Sequence, residues 1–477
     1  KAYVAGHGRD GKDKSMKRRI GGLETEFGLL AVSKDGRQAL EPEMAARELF
    51  RPVVAWGRSS NVFLTNAGRL YLDVGSHPEY ATAECDDPWD IVAQERAGER
   101  ELYALVQEAN ARLASDGSDA RIHLFKNNAD SQGNSFGSHE NYLVERRGEF
   151  TRLPSLLLPF LITRQIVTGA GGVLESEGGP VFGFSLRADH MWETVSSATT
   201  RARPIINTRD EPHGDPSRYR RLHVISGDST MSEVSTWLRF AMTFAVLRFI
   251  EDGHTFPNFE LADPISDIRR VARDLTASEP LQLKNGGVST ALAIQRAYFS
   301  ALSRTYDDLD ERMMGTWDRG LRALETGDFS LINRELDWAI KHELFTTVAK
   351  RRGVSLDSPE IQRLELAYHD IDPERGVFYA LKRRGLAPSV VSEERVEDAR
   401  HAGPSSTRAH MRSKVLRAAR EKGVDIAVDW TTVRLNTSGA LPITLLDPFE
   451  TENPEIEKLL ATLEGHSSAP AELKGLQ

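Results

Sequence analysis

The sequence predicts an α+β fold made of one large domain and a small α+β unit at the C-terminus. Short segments of alternating apolar residues dominate the first third of the chain, which indicates β-strands. Helical apolar periodicity dominates residues 153–386. A run rich in serine, proline and glycine, HAGPSST at 401–407, separates the large domain from the C-terminal unit.

The predicted strands lie between residues 19 and 143, where they alternate with helices. In RLYLDVG the apolar residues recur at every second position, as expected for a strand with one buried face. The segments are RIGGLETEFGLL, NVFLTN, RLYLDVG, RIHLFKNN and HENYLVE. The clearest predicted helix comes later, in MSEVSTWLRFAMTFAVLRFIEDG, where Met231, Ser232 and Glu233 open the apolar run and Gly253 ends it.

A second predicted helix begins the C-terminal unit. Thr407 is expected to cap its N-terminus and Gly423 to end it. Its apolar face carries Met411, Val415, Leu416 and Ala419. The strand VDIAVDW comes next, and its alternation alone predicts that Trp430 belongs to the core together with Val424, Ile426 and Val428.

These boundaries divide the chain into four segments. Residues 1–15 have no apolar stretch suited to a signal peptide and are predicted to be a flexible extension ahead of Met16, the expected natural start. Residues 16–403 form the large domain, 404–464 the small C-terminal domain and 465–477 a flexible tail.

Composition excludes several classes of function. The net charge of −9 and the pI near 5.9 argue against general nucleic-acid binding, which usually needs a basic surface. No stretch approaches the ~18 apolar residues that a membrane-spanning helix requires. Cys85 is the only cysteine, so an intramolecular disulfide and cysteine-rich zinc sites are excluded. We therefore predict a cytoplasmic protein that binds neither nucleic acid nor membrane.

Two carboxylates in GLETEFG are the first candidates for chemistry. Glu24 and Glu26 lie two positions apart in a predicted strand, so both project from one face. Their mutual repulsion is relieved by water or by a cation, and Mg²⁺ suits an all-oxygen ligand set. A solvated strand face is the alternative interpretation of this pair.

A second predicted strand places a cation, a phenol and a carboxylate on one face. In RLYLDVG, Arg69, Tyr71 and Asp73 alternate with the apolar residues Leu70, Leu72 and Val74. Arginine suits phosphate because its planar group donates two hydrogen bonds at once, and an aspartate can accept a proton from an attacking amine. Glu79 and Thr82 come from the adjoining turn. A purely structural polar face is the alternative.

An arginine-rich segment is the third candidate. It carries Arg201, Arg203, Arg209, Arg220 and Arg221, accompanied by Asp210, Glu211, Asp228 and His223. These residues form either a salt-bridge network or a clamp for a transferring phosphoryl group, and His223 alone is more typical of a structural histidine. No P-loop and no dinucleotide-binding glycine motif is present, so any ATP would be held by a sheet-based cleft.

Several long strings carry a family resemblance that spans about Lys17 to Phe449. They are RRIGGLETEFG, WGRSSNVFLTNAGRLYLDVGSHPEYATAECD, LFKNNADSQGNSFGSHENYL, LLPFLITRQ, VSSATTRARPIINTRDEPH, YRRLHVISGDSTMSE, LAYHDI and VDW. In these strings the chain resembles the Pup ligase and Pup deamidase family of glutamine-synthetase-like carboxylate–amine ligases. The resemblance implies that the large domain has a curved, largely antiparallel sheet packed by helices.

The same resemblance implies roles for seven residues. Glu24, Tyr71 and Glu79 match the family's magnesium-site positions. Arg69, Thr82 and Trp430 match positions that contact ATP, so the C-terminal unit would close over the nucleotide. Asp73 matches the catalytic proton acceptor.

The reaction implied by the resemblance has two steps. ATP, with Mg²⁺, phosphorylates the side-chain carboxylate of the C-terminal glutamate of Pup, and a lysine of a substrate protein then attacks the γ-glutamyl phosphate. The product is an isopeptide bond that marks the substrate for the bacterial proteasome. The implied partners are Pup and lysine-bearing proteins.

Three alternatives to a ligase remain open on the sequence alone. A Pup deamidase would carry an additional loop between the ETE segment and the RLYLD strand. Here 40 residues separate Gly28 from Arg69, which favours the ligase. The other two alternatives are a catalytically inactive scaffold that binds Pup and a small-molecule glutamate–amine ligase.

Overall fold

The computed structural model describes residues 18–73, 75–130, 132–146, 152–197 and 203–465. The strands are β1 (Gly21–Glu26), β2 (Gly28–Val32), β3 (Asn61–Phe63), β4 (Arg69–Leu72), β5 (Pro78–Ala81), β6 (Arg121–Phe125), β7 (Ser138–Glu145), β8 (Gly172–Leu174), β9 (Val181–Gly183), β10 (Glu193–Ser196), β11 (Pro204–Asn207), β12 (Tyr219–Val224), β13 (Leu281–Gln282), β14 (Val288–Ser289), β15 (Ile426–Val428), β16 (Thr432–Leu435) and β17 (Ile443–Thr444).

The α-helices of the described residues are α1 (Pro42–Gly57), α2 (Pro88–Ser115), α3 (Leu153–Thr163), α4 (Gln165–Thr168), α5 (Glu233–Glu251), α6 (Pro264–Arg273), α7 (Ala291–Thr305), α8 (Glu311–Thr326), α9 (Asp337–Arg352), α10 (Pro359–Tyr368), α11 (Val377–Arg383), α12 (Glu393–His401), α13 (Ala409–Lys422) and α14 (Pro454–Glu464). No helix within these ranges is long and apolar enough to cross a membrane.

The main sheet has eight strands in the order β10-β11-β12-β7-β1-β5-β4-β3. Every neighbouring pair is antiparallel except β10 and β11. Helices α2 and α5 contact each other in the large domain, and residues of both belong to its main apolar core. The predicted α+β class is confirmed.

The predicted strand RIGGLETEFGLL forms two strands in different sheets. β1 is central in the main sheet, whereas β2 pairs with β6 in a separate two-stranded sheet. Phe27 lies between them with its side chain fully buried, and its backbone N–H donates to the carbonyl of Pro78 at 2.9 Å. The chain leaves the main sheet directly after Glu26.

The predicted helix after Met231 is confirmed as α5. Ser232 is its N-cap, and the Ser232 hydroxyl accepts a hydrogen bond from the N–H of Ser235. Gly253 lies just beyond the last turn with a φ of 82°, a conformation that glycine adopts without the steric cost of a Cβ.

Helices do not fill the whole of residues 153–386, because three strands of the main sheet lie there. β10, β11 and β12 complete one end of the sheet. In β12, Leu222 and Val224 are buried while Arg221 and His223 point to the other face. The alternation in YRRLHV is typical of a strand. The sequence predictions treat this segment as an arginine cluster and do not include the strand.

The C-terminal unit has its own small core between α13, α14 and the β15-β16-β17 sheet. Gly423 ends α13 in the left-handed conformation, as predicted. The predicted cap is wrong, because α13 begins at Ala409 and Arg408 occupies the N-cap position. The Thr407 hydroxyl donates to the carbonyl of Glu84 at 2.8 Å. Trp430 is half-buried and lies outside this core.

The division of the chain into four segments stays a prediction. Residues 1–15, Met16 and the tail after Gly465 lie outside the described residues.

Candidate active site

Most of the predicted site residues lie on one face of the main sheet. Cross-strand pairing aligns Arg69, Ala81 and Glu24 in one row across β4, β5 and β1, and His139 of β7 extends that row. The next row aligns Tyr71, Glu79 and Glu26. Because strand residues two apart share a face, the two rows form one polar surface. The prediction that Glu24 and Glu26 lie on one face is therefore confirmed.

The first cluster on this surface is acidic and consists of Glu26, Asp73 and Glu79. Carboxylate oxygens of all three lie within 4.8 Å of one another. The Tyr71 hydroxyl donates to Glu79, and the backbone N–H of Gly137 donates to Glu26 at 2.7 Å. Among the described residues, no basic side chain forms an ion pair with any of these three carboxylates.

Electrostatics in this cluster disfavour further negative charge. Burial raises the pKa of Glu79, and the nearby charges of Glu24 and Glu26 raise it further. Burial and the nearby carboxylates of Glu24 and Glu79 also raise the pKa of Tyr71. An arrangement of oxygen donors with unbalanced negative charge fits a hard divalent cation such as Mg²⁺.

The second cluster surrounds Glu24. Its carboxylate accepts from Asn141 at 3.1 Å and from Arg221 at 2.9 Å, and it lies 3.3 Å from His139 Nδ1. His223 Nε2 lies 3.7 Å from the same carboxylate. Glu24, His139 and His223 could also hold a metal ion, because their ligand atoms lie within 4.8 Å of one another.

The two clusters differ in their acid–base properties. Burial opposes ionisation of Glu24, but the nearby imidazoles of His139 and His223 and the charge of Arg221 outweigh it and hold the Glu24 pKa well below its usual range. Burial lowers the pKa of His223 to about 4. Glu24 is therefore a carboxylate and His223 a neutral imidazole near neutral pH.

Asp73 lies in the turn directly after β4. Its backbone N–H donates to the carbonyl of His77 at 3.0 Å, and its carbonyl accepts from Ser76 at 2.8 Å. Its half-buried side chain completes the acidic cluster. Arg69 and Tyr71 share one face of β4 as predicted, and Asp73 lies just beyond the strand on the same side. Val74, which was predicted to face the core, lies outside the described residues.

Arg69 lies beside this cluster. Its Nε donates to Asn61 Oδ1 at 2.7 Å, and its guanidinium group lies 5.2 Å from the Tyr71 ring centre and 5.9 Å from that of Phe63. Phe63 in turn contacts Trp430 edge to face, with ring centres 5.0 Å apart. A chain of planar groups thus links the acidic cluster to the C-terminal unit.

A cleft opens next to these rows, between the sheet and the C-terminal unit. Its walls include Gly22, Thr82, Arg221, Arg408, Trp430 and Pro448. The Thr82 hydroxyl accepts from the N–H of Leu23 at 3.0 Å. The expectation that Trp430 is a core residue is wrong, because its indole forms part of the cleft wall, with the His213 ring centre 6.0 Å away.

A buried charge cluster attaches the C-terminal unit to the sheet at this cleft. Glu84 accepts from Arg408 Nε and from Arg412 Nη1, each at 2.7 Å. Arg412 also donates to the carbonyl of Trp430 at 3.0 Å. Burial opposes ionisation of Glu84, but the two arginines outweigh it and lower its pKa to about 2.

Some arginines of the arginine-rich segment form salt bridges, and one lies in the site where it could contact a phosphoryl group. Arg221 lies in the site beside Glu24. Arg209 pairs with Glu211 at 2.7 Å and Arg220 with Asp210 at 3.4 Å, as in a salt-bridge network. Arg203 lies near His190, and Arg201 is outside the described residues. Asp228 is buried and accepts from Ser185 and from the N–H of Ala170.

Sequence reasoning missed His139 and treated His223 as structural. The alternation of HENYLVE predicted a strand, and it would have placed His139 and Asn141 on the face opposite Glu140. The local sequence could not predict that β7 pairs with β1, which places His139 directly opposite Glu24.

Comparison with known proteins gives a consistent result. The model of the Pup-ligase protein family matches residues 19–434. The chain is 62% identical over 467 residues to a Pup–protein ligase of Brachybacterium faecium, covering 96% of this chain and 99% of that protein. It is 52% identical over 454 residues to a Pup–protein ligase of Paenarthrobacter aurescens, covering 94% and 100%.

Two solved structures are similar over nearly the whole chain. A complex between the prokaryotic ubiquitin-like protein Pup and its ligase PafA matches with a TM-score of 0.90 and 41% identity, covering 95% of this chain and 93% of that one. The Pup ligase PafA in complex with ADP matches with a TM-score of 0.82 and 42% identity, covering 90% and 95%.

Proposed function

The chain belongs to the Pup-ligase family, and we propose that it joins the C-terminal glutamate of Pup to lysine side chains of other proteins at the cleft described above. Full-length similarity to Pup–protein ligases and to a PafA–Pup complex supports this activity. The observation that carries the proposal is the position of Asp73, whose carboxylate completes the acidic cluster at one end of the polar surface.

The cleft beside Trp430 is the proposed ATP site. Similarity to a Pup ligase in complex with ADP supports nucleotide binding. The Trp430 indole offers an aromatic face to the base, and Thr82 lines the same cleft. Arg69 lies toward the acidic cluster, where its guanidinium group is suited to a phosphate of the same nucleotide.

Glu24, Tyr71 and Glu79 are the proposed magnesium ligands. Glu79 belongs to the acidic cluster and accepts from the Tyr71 hydroxyl, and Glu24 lies in the neighbouring row of the same face. Oxygen donors of this kind fit Mg²⁺. When bound, Mg²⁺ supplies positive charge that stabilises the transferring phosphoryl group. Glu26, next to Glu79, adds a further carboxylate oxygen to the same surface.

In the first step, the γ-carboxylate of the terminal glutamate attacks the γ-phosphorus of ATP. An O–P bond forms, ADP leaves, and a γ-glutamyl phosphate results. Arg69 and Arg221 lie on either side of Glu24 on the polar surface, where their charges can stabilise the transferring phosphoryl group.

In the second step, the lysine nitrogen attacks the acyl carbon and inorganic phosphate leaves. Lysine is protonated at neutral pH, so its amine has to lose a proton before or during attack. Asp73 is the proposed acceptor of that proton, because its half-buried carboxylate lies at the edge of the polar surface.

The deamidase alternative is not favoured. The 40 residues between Gly28 and Arg69 contain the rest of β2, the helix α1 and the strand β3. The similar proteins named above are all ligases. A cytoplasmic location stays a prediction.

One incubation tests the proposal. The protein, ATP and Mg²⁺ are mixed with a lysine-bearing acceptor and with Pup that ends in glutamate or, in a parallel reaction, in glutamine. We expect the acceptor mass to increase by one Pup only with the glutamate form. Conversion of the glutamine form to the glutamate form without any conjugate would identify a deamidase instead.

A further inference from the structure

The turn that carries Asp73 contains a strained residue. Ser76 has a φ of 60°, a left-handed conformation that is unfavourable for any residue except glycine. Such a conformation persists only where surrounding contacts hold it. The hydrogen bonds within the turn join Asp73 to Ser76 and to His77, so the position of Asp73 depends on how the end of this turn is supported.

Phe136 provides that support from another part of the chain. Its ring lies against the His77 imidazole, with ring centres 5.0 Å apart. Phe136 is 5% exposed and precedes Gly137, whose N–H donates to Glu26 of the acidic cluster. One short segment, 135–137, therefore contacts both the cluster and the turn of Asp73.

A buried arginine fixes this segment. Arg187 Nη1 donates to the carbonyl of Phe136 at 2.5 Å and to the Ser135 hydroxyl at 2.9 Å. Its Nη2 donates to the carbonyl of Ile225, at the end of β12, at 2.6 Å. The Arg187 guanidinium group, which forms no ion pair with any described carboxylate, thus joins the 135–137 segment to the main sheet.

We propose that Phe136 is a positioning residue for amine transfer, which holds Asp73 in place through its contact with His77. This inference rests on the proposed role of Asp73 as the proton acceptor. Phosphorylation of the glutamate does not need that acceptor, whereas attack by a protonated lysine does. Loss of the Phe136–His77 contact should therefore slow the second step selectively.

Hydroxylamine separates the two steps. It is uncharged at neutral pH, so it attacks the γ-glutamyl phosphate without a protein base, forming a hydroxamate and releasing phosphate. Lysine conjugation and hydroxamate formation are measured at saturating ATP and Pup for each variant. The variants are Phe136→Leu, His77→Ala and His77→Phe, and Asp73→Asn is run alongside. Phe182→Leu, in another buried phenylalanine at 4% exposure, is the control for lost packing.

We expect Phe136→Leu and His77→Ala to slow lysine conjugation by about ten- to a hundredfold, with hydroxamate formation within about twofold of the parent. His77→Phe keeps a ring against Phe136 and should conjugate at nearly the parent rate. Phe182→Leu should leave the ratio of the two rates unchanged. His77→Ala and His77→Phe change a side chain of the turn, so they test the contact even if Phe136→Leu does not fold.

Two results overturn the inference: a parallel fall of both rates in His77→Ala, or parent-like conjugation in that variant. The Asp73→Asn result separates this failure from a failure of the proposed function. If Asp73→Asn conjugates at the parent rate, Asp73 is not the proton acceptor. If Asp73→Asn loses conjugation while His77→Ala keeps it, only the positioning role of Phe136 is wrong.

Discussion

Glu26 of β1 and Glu79 of β5 are direct cross-strand partners, and their carboxylate oxygens lie within 4.8 Å of each other and of one from Asp73. Like charges placed directly opposite each other destabilise a sheet. A cation bound between these carboxylates would offset their repulsion. This relationship is the physical basis of the proposed magnesium site.

Removal of a carboxylate from this cluster should therefore change the metal requirement. We expect Glu79→Gln to raise the Mg²⁺ concentration needed for half-maximal conjugation by about tenfold or more, because one charged oxygen ligand is lost. A magnesium titration of the conjugation rate measures this. Glu43→Gln, at an exposed position of α1, is the matched control. An unchanged titration for Glu79→Gln would exclude Glu79 as a ligand.

Asp73→Asn tests the proton acceptor. The amide keeps the shape of the side chain but cannot take a proton from the lysine amine. We expect conjugation to fall by about a hundredfold or more, whereas the dissociation constant for ATP stays within about threefold of the parent. Nucleotide binding to the same preparation serves as the folding control. A raised magnesium requirement with conjugation restored at high Mg²⁺ would make Asp73 a metal ligand instead.

Trp430→Ala tests the proposed nucleotide wall. Stacking of an aromatic side chain on a base contributes about 1–3 kcal/mol, so the KM for ATP should rise by about ten- to a hundredfold. The KM for Pup should change much less. Trp192→Ala, at a tryptophan that is 58% exposed, is the control. A lower melting temperature with an unchanged KM for ATP would show that Trp430 has a purely structural role.

The buried Glu84 cluster predicts a pH dependence of stability. The Glu84 pKa is about 2 in the folded protein against an ordinary value of 4.5. A lowered carboxyl pKa stabilises the fold above pH 4.5, and this contribution is lost as the pH falls from 4.5 towards 2. The full contribution is on the order of 3 kcal/mol.

Urea unfolding of Glu84→Gln measures that contribution. At pH 7 the variant should be less stable by about 3–5 kcal/mol, because Arg408 and Arg412 lose their buried partner. Between pH 5 and pH 3 its free energy of unfolding should fall less steeply than that of the parent. Glu41→Gln, an exposed position, should behave like the parent. Equal slopes for parent and Glu84→Gln would contradict the lowered pKa.

Local patterns predicted much of the site, but only within single strands. The alternation in GLETEFG and RLYLDVG was enough to place Glu24 with Glu26 and Arg69 with Tyr71, because side-chain direction in a strand depends only on position. The α5 helix and its end at Gly253 could be predicted from capping and periodicity.

Features that depend on contacts between distant segments could not be predicted from local patterns. His139 reaches Glu24 only because β7 pairs with β1 across more than a hundred residues of sequence. Trp430 continues the alternation of VDIAVDW in the sequence, yet it lies beyond the end of β15, where it contacts Phe63 and Arg412 and lines the cleft. Thr407 is not the cap because α13 begins at Ala409, which places Arg408 at the N-cap position.

The most direct test of the central claim traces oxygen atoms through the reaction. Pup is prepared with ¹⁸O in both oxygens of the terminal glutamate side-chain carboxylate and is conjugated to a lysine-bearing acceptor with ATP. If a γ-glutamyl phosphate forms, one ¹⁸O leaves with inorganic phosphate and the other stays in the isopeptide carbonyl. Mass spectrometry should find one ¹⁸O per phosphate released with each conjugate. Phosphate without ¹⁸O would contradict the account.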